Sequence, residues 1–162
     1  MRAIDKALVD EVWRELTAYA PARVASEAQA FLDLQPHAAA FSQSLTRQFD
    51  PTVQKAALGL AFLLFKVLEA SLGRPFPELA EPRLLEAYAV TQAWLQQWEG
   101  APPVEVLQAL GQAEHASLAA YILEVFYAGG AVPGEYDETV RASLYCLLKT
   151  LTDALDLGHV EN

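Results

Sequence analysis

The sequence holds one cysteine, Cys146, and one asparagine, Asn162. A lone cysteine excludes a disulfide framework, a four-thiolate metal centre and a CxxC redox pair. The terminal asparagine leaves no N-glycosylation acceptor. No uninterrupted apolar run exceeds the ten residues from Ala56 to Phe65, counting Gly59, before Lys66 and then Glu69 interrupt it. A membrane span needs about twenty such residues, so this stretch reads as a buried core helix.

Cations are missing from a long stretch. No Lys or Arg occurs between Arg83 and Arg141, where Glu86, Glu99, Glu105, Glu114, Glu124, Glu135, Asp137 and Glu138 all lie. Residues 1–83 carry nine Lys/Arg against ten Asp/Glu, a balance of −1, and residues 84–162 carry two against eleven, a balance of −9. Such a surface repels phosphate and anionic lipid, so neither nucleic acid nor a membrane is expected as a partner. The first residues mix charge with apolar side chains, as in Asp5, Lys6, Asp10 and Glu11, instead of building the apolar segment of a secretory signal, and a cytoplasmic location is expected.

Isoleucine is scarce, at two residues, whereas alanine contributes 29 and leucine 25 of the 162. That mix favours helix over sheet. An apolar content of 53% is too high for a disordered chain and enough to offset backbone ordering. The expected fold is all-α, a compact single domain over 1–162 of seven or eight helices.

Periodicity and punctuation place those helices. Ile4, Leu8, Val12, Leu16 and Tyr19 repeat at helical spacing over 3–20, flanked by Val9 and Trp13. Pro21, Pro36 and Pro51 then fall fifteen residues apart, and proline suits the first helical turn, so each predicts a helix start. The second helix, 22–34, is expected to present Val24, Ala28, Phe31 and Leu32 to the core, and the third, 37–49, Ala38, Phe41, Leu45 and Phe49. Asp50 is a suitable N-cap and Gly73 a suitable C-terminal stop for a fourth helix, apolar nearly all round.

A connection with Pro75, Pro77 and Pro82 follows. The fifth helix, 82–99, shows Leu84, Leu85, Tyr88, Thr91, Leu95 and Trp98 on one side, with Ala87, Val90 and Trp94 beside them. Residues 104–128 stay helical in pattern, with a break expected at Gly111, and the last helix, 137–157, takes Asp137 as N-cap and buries Val140, Leu144, Leu147, Leu151 and Leu155.

Short helix, connection, long apolar helix and glycine occur in that order twice. Ala39-Ala40-Phe41 aligns with Ala119-Ala120-Tyr121, and Lys55-Ala56-Ala57-Leu58 with Arg141-Ala142-Ser143-Leu144. The matches are read either as two pseudo-repeated units, 1–73 and 82–158 joined by 74–81 around the fourth and last helices, or as chance in a chain so rich in alanine and leucine.

Chemistry-bearing residues are sparse. His37, His115 and His159 lack any metal-ligand spacing, and no metal or cofactor is expected. Asp153 and Asp156 form a DxxD with only Lys149 close by, which reads as a solvated last turn. Cys146 has no histidine at helical spacing to activate it. No nucleophile elbow, phosphate loop or dinucleotide fingerprint is present, so the chain is read as non-enzymatic.

Two binding readings remain. The leading one is a protein that binds a basic partner protein, or itself, through its acidic half or an apolar helix face. Trp94 and Trp98, four residues apart, are candidate aromatic anchors, although wedging a helix onto the core is the favoured account of them. Tyr127 and Tyr136 flank a glycine-rich loop that runs into Glu135, Asp137 and Glu138, a second candidate surface. The alternative is a helical pocket for a small apolar ligand, lined by Phe62, Phe65, Trp94, Tyr121 and Phe126, the same residues that a filled core would use.

Overall fold

The computed structural model describes residues 2–111, 116–128 and 138–155. Among them are eight α-helices and no strand: α1 (Lys6–Thr17), α2 (Pro21–Leu34), α3 (Pro36–Leu45), α4 (Pro51–Leu72), α5 (Glu81–Gln96), α6 (Pro103–Gly111), α7 (Ala116–Ala128) and α8 (Glu138–Ala154).

Local chemistry sets most of these boundaries. The Asp5 carboxylate accepts from the Leu8 N–H at 2.9 Å and opens α1, and Asp50 does the same for Val53 at 3.1 Å at the head of α4. Each satisfies a backbone donor that has no partner inside its helix. Helices α2, α3 and α4 all begin on the prolines whose spacing predicts them. Gly73, at φ 73°, stops α4 in the left-handed region, its N–H bonded to the Glu69 carbonyl at 2.8 Å.

Two helices end earlier than their apolar patterns predict. α3 stops at Leu45, where the Thr46 hydroxyl turns back onto the Ser42 carbonyl at 2.8 Å and the chain leaves helical geometry. α5 stops at Gln96, because the N–H groups of Gln97 and Trp98 bond three residues back, to Trp94 and Leu95, and tighten the chain towards Gly100 at φ 81°. In both cases the side-chain periodicity continues into a turn that the backbone does not.

The core is built around α4 and α8, which carry the largest sets of buried side chains and pack on each other. α4 also packs against α1, α3 and α7, and α8 against α3, α5, α6 and α7. Contacts of α1 with α7, and of α3 with α5 and α8, join residues 1–73 to residues 82–158. Val140, Leu144, Leu147, Leu151 and Leu155 form the expected buried row of the last helix.

Other expected faces are displaced. On α2 only Phe31 is buried; Val24 and Leu32 are exposed. α2 rests on its neighbours along one narrow line, through Ala28 and Phe31, and its first six residues are all exposed. On α5 the buried stripe is Leu84, Ala87 and Thr91, which turns Leu85 and Val90, each about 100° round the helix from a buried neighbour, to the outside. No helix among the described residues is long and apolar enough to cross a membrane.

Candidate functional site

A groove lies between α2 and α4, lined on the α2 side by Glu27, Ala30, Phe31 and Leu34. Phe31 stands at its base with its ring edge-on to Phe62, centroids 5.8 Å apart, and tilted on Phe65 at 5.6 Å. Phe65 in turn meets Phe76 edge-on at 6.0 Å. These are the offset geometries that aromatic quadrupoles favour. The groove, partly open to solvent, has a volume of about 220 Å³, with Leu34, Glu27 and Lys66 among its walls.

Its polar wall is an ion-pair cluster. The Lys66 ammonium, on a side chain only 19% exposed, donates to Glu27 Oε2 at 2.6 Å and Glu69 Oε2 at 3.1 Å. It also lies 5.6 Å from the centre of the Phe62 ring. Burial by itself disfavours the charged amine, yet its hydrogen bonds to both carboxylates outweigh it and hold the Lys66 pKa above its ordinary value. Arg23 stacks 3.7 Å over the Tyr19 ring and comes within 3.9 Å of Glu27. Beyond Lys66 a shallower cavity of about 340 Å³ continues between α1, α2 and α4 towards Arg74, sharing Glu27, Lys66 and Glu69.

One end of the groove is fixed by Gln35, between α2 and α3. Its side chain, 1% exposed, donates to the carbonyls of Phe76 at 3.2 Å and Pro77 at 2.8 Å and accepts from the Leu79 N–H at 2.8 Å. One amide thus satisfies three backbone groups and pins the proline-rich connection, Phe76 included, beside the aromatic cluster. Neither Gln35 nor the Glu27–Lys66–Glu69 cluster stands out in the sequence, since Glu27 and Lys66 are 39 residues apart and Gln35 reaches 41 to 44 residues along the chain.

The pocket residues expected from the sequence separate. Phe62 and Phe65 line the groove. Phe126 instead packs edge-on to Trp13, centroids 5.8 Å apart, and against Gly59, while Tyr121 is half-buried on α7. Trp94 lies on α5 against Trp98, with ring centres 5.9 Å apart. Five aromatics expected around one cavity are therefore shared among three places.

The candidate interaction residues also fall in separate places. Trp94 and Trp98 are half-buried, and the Trp98 indole N–H is buried with no acceptor among the described residues. Tyr127 is half-buried with the Arg141 guanidinium 4.6 Å over its ring. Glu138 is exposed in the first turn of α8. Tyr136, Glu135 and Asp137 lie outside the described residues. What the sequence does not single out is how far Leu85, Val90 and Val104 project, at 55%, 59% and 47% exposure, near the exposed carboxylates Glu86 and Glu105 in their own helices.

The remaining chemistry is quiet. Burial pushes the Cys146 thiol up to about 11, against a small opposing pull from Lys149. Lys149 itself pairs with Asp153 at 2.7 Å, so that half of the DxxD is already engaged. His37 lies 3.7 Å from Glu78 and 3.9 Å from Glu81. No group of three or more metal-ligating side chains gathers among the described residues. No protein-family model matches the chain, and the curated proteins and the solved structures likewise give no match.

Proposed function

We propose that this is a non-enzymatic, cytoplasmic interaction protein whose outer α5 and α6 faces dock a basic, amphipathic segment of a partner protein. The observation that carries the reading is the combination of exposed Leu85, Val90 and Val104 with Glu86, Glu99 and Glu105, in a stretch without a single cation from 84 to 140. Apolar side chains on such a surface supply burial, and the uncompensated carboxylates select the sign of the partner and speed its encounter. Trp94, on α5, and Trp98, just beyond its end, lie with ring centres 5.9 Å apart and report on this face by their fluorescence.

The test is a calorimetric titration with a synthetic amphipathic helix of leucine and lysine, beside a scrambled peptide of identical composition. The proposal expects the amphipathic peptide to bind, and binding to weaken at least about tenfold when salt rises from roughly 50 to 500 mM. Leu85→Ser with Val90→Ser should weaken it further while the circular dichroism spectrum stays native. Equal binding of the scrambled peptide, or indifference to the paired substitution, would reduce the interaction to unspecific charge attraction and overturn the reading.

A second reading, that the chain holds a small molecule, is favoured by the aromatic groove between α2 and α4.

A further inference from the structure

Resting on that second reading, we propose that the α2–α4 groove takes a small organic monocation with an aromatic or branched apolar body, an arylalkylammonium being the fitting class. Three observations combine. The first is size: about 220 Å³ exceeds the roughly 150 Å³ that suffices for benzene in an apolar cavity, and so admits one ring with a short side chain.

The second is the wall. Phe31, Phe62 and Phe65 line the space, and the Lys66 ammonium lies 5.6 Å from the centre of the Phe62 ring. Aromatic faces attract cations and offer an anion nothing comparable.

The third is charge. Glu27 and Glu69 contribute −2 and Lys66 +1, so these three groups of the inner wall sum to −1, with the Arg23 guanidinium at the rim the nearest further cation. Arg23 offsets that charge only in part, because at 59% exposure and 3.9 Å from Glu27 it is screened by water. The raised Lys66 pKa is consistent with a wall whose carboxylates hold positive charge despite burial. A guest ammonium can share Glu27 and Glu69 with Lys66 while its ring fills the space beside Phe31. A guest carboxylate of the same size would gain Lys66 only by displacing one of these two carboxylates.

The experiment is an NMR titration of the full chain with three matched probes, 2-phenylethylammonium, 2-phenylethanol and 3-phenylpropionate, up to about 10 mM, where fragment-sized ligands bind. The expected result is that the ammonium shifts the amides of Phe31, Phe62 and Lys66 at concentrations roughly tenfold below the alcohol, with the carboxylate weakest. Glu69→Gln removes the net negative charge and should abolish the preference for ammonium over alcohol. Lys66→Met removes the resident cation and should tighten ammonium binding; where that variant loses the native spectrum, Glu69→Gln alone decides.

The outcomes separate the two claims. Alcohol binding as tightly as ammonium, or carboxylate binding more tightly, overturns the cation inference and leaves the pocket standing. No shift of groove amides with any probe overturns both. A preference for ammonium that survives Glu69→Gln unchanged overturns the electrostatic basis proposed here.

Discussion

The Oγ1 hydroxyl of Thr150 on α8 donates to the Oγ1 of Thr91 on α5 at 3.0 Å, and neither side chain has measurable exposure. It is a buried polar joint between two packed helices. Replacing either threonine by valine keeps the shape but leaves the other hydroxyl without its partner, and a helical threonine in that position can turn onto the carbonyl four residues back. Each single substitution is therefore expected to cost about 1 kcal/mol, and the double substitution less than the sum, since both polar groups are then gone. Urea denaturation of the four proteins in a double-mutant cycle checks this; strict additivity would mean that the hydroxyls do not interact.

Gln35 carries a larger load. Gln35→Leu strands the Leu79 N–H and the carbonyls of Phe76 and Pro77 in a buried place, at roughly 1–3 kcal/mol per group left unsatisfied, tempered by whatever water reaches them. A loss of about 3 kcal/mol in total is expected, with accelerated amide exchange at Leu79. Gln35→Glu keeps the acceptor for Leu79 but sets a carboxylate against two carbonyl oxygens, which raises the pKa of the introduced acid. Its penalty is full above that raised value and disappears as pH falls below the unfolded value of about 4.3. This variant should thus gain stability on acidification relative to the parent, and a flat difference between the two from pH 7 to 4 would show the amide donors to be dispensable.

How much of this was legible in the sequence differs from helix to helix. The ends of α4 follow from Asp50, Pro51 and Gly73 because capping is a local interaction, complete within four residues. The buried row of α8 follows from leucine spacing because that helix touches neighbours on most sides. α2 misleads because its first six residues are all exposed, so pattern overstates burial at Val24, and because only a narrow line of its second half meets the body, which leaves Leu32 outside. The groove was half legible: Phe62 and Phe65 lie in an evident apolar helix, but the charges that give it a sign meet only when α2 folds back over α4.

Cys146 links burial to alkaline stability. Its thiol is held near 11 in the folded chain against about 8.5 in an unfolded one, so the folded state keeps a proton that the unfolded state releases. Stability from this group is fully present below about pH 8.5 and is lost as pH rises towards 11, a change of about 3 kcal/mol at most. Burial raises the Tyr145 hydroxyl too, and it acts in the same direction. Cys146→Ala removes the thiol contribution alone: the stability gap between parent and variant should narrow between pH 8.5 and 10.5 in denaturant titrations. The native thiol should also react with a disulfide reagent at pH 8 only as fast as the chain opens, since the nucleophile is the thiolate and the side chain is 6% exposed.

Gly59 lies in the interior of α4, where a glycine costs backbone entropy without supplying any positive φ. A Cβ built on it would sit 3.4 Å from Cε2 and 3.6 Å from Cζ of Phe126, ordinary contact with a ring and not with backbone. Gly59→Ala is therefore expected to stabilise the chain, by up to about 1 kcal/mol, the helical preference of alanine over glycine. That corresponds to a rise of roughly 2 °C in Tm for a chain of this length. Gly59→Leu should do the reverse, at a cost of about 1–3 kcal/mol, because the longer side chain must push Phe126 off the Trp13 ring that it meets at 5.8 Å. Paired thermal melts test both; a destabilising alanine would mean that the α4–α7 contact at Phe126 has no slack even for a methyl group, and that α7 sets the height at which it crosses α4 by this one glycine.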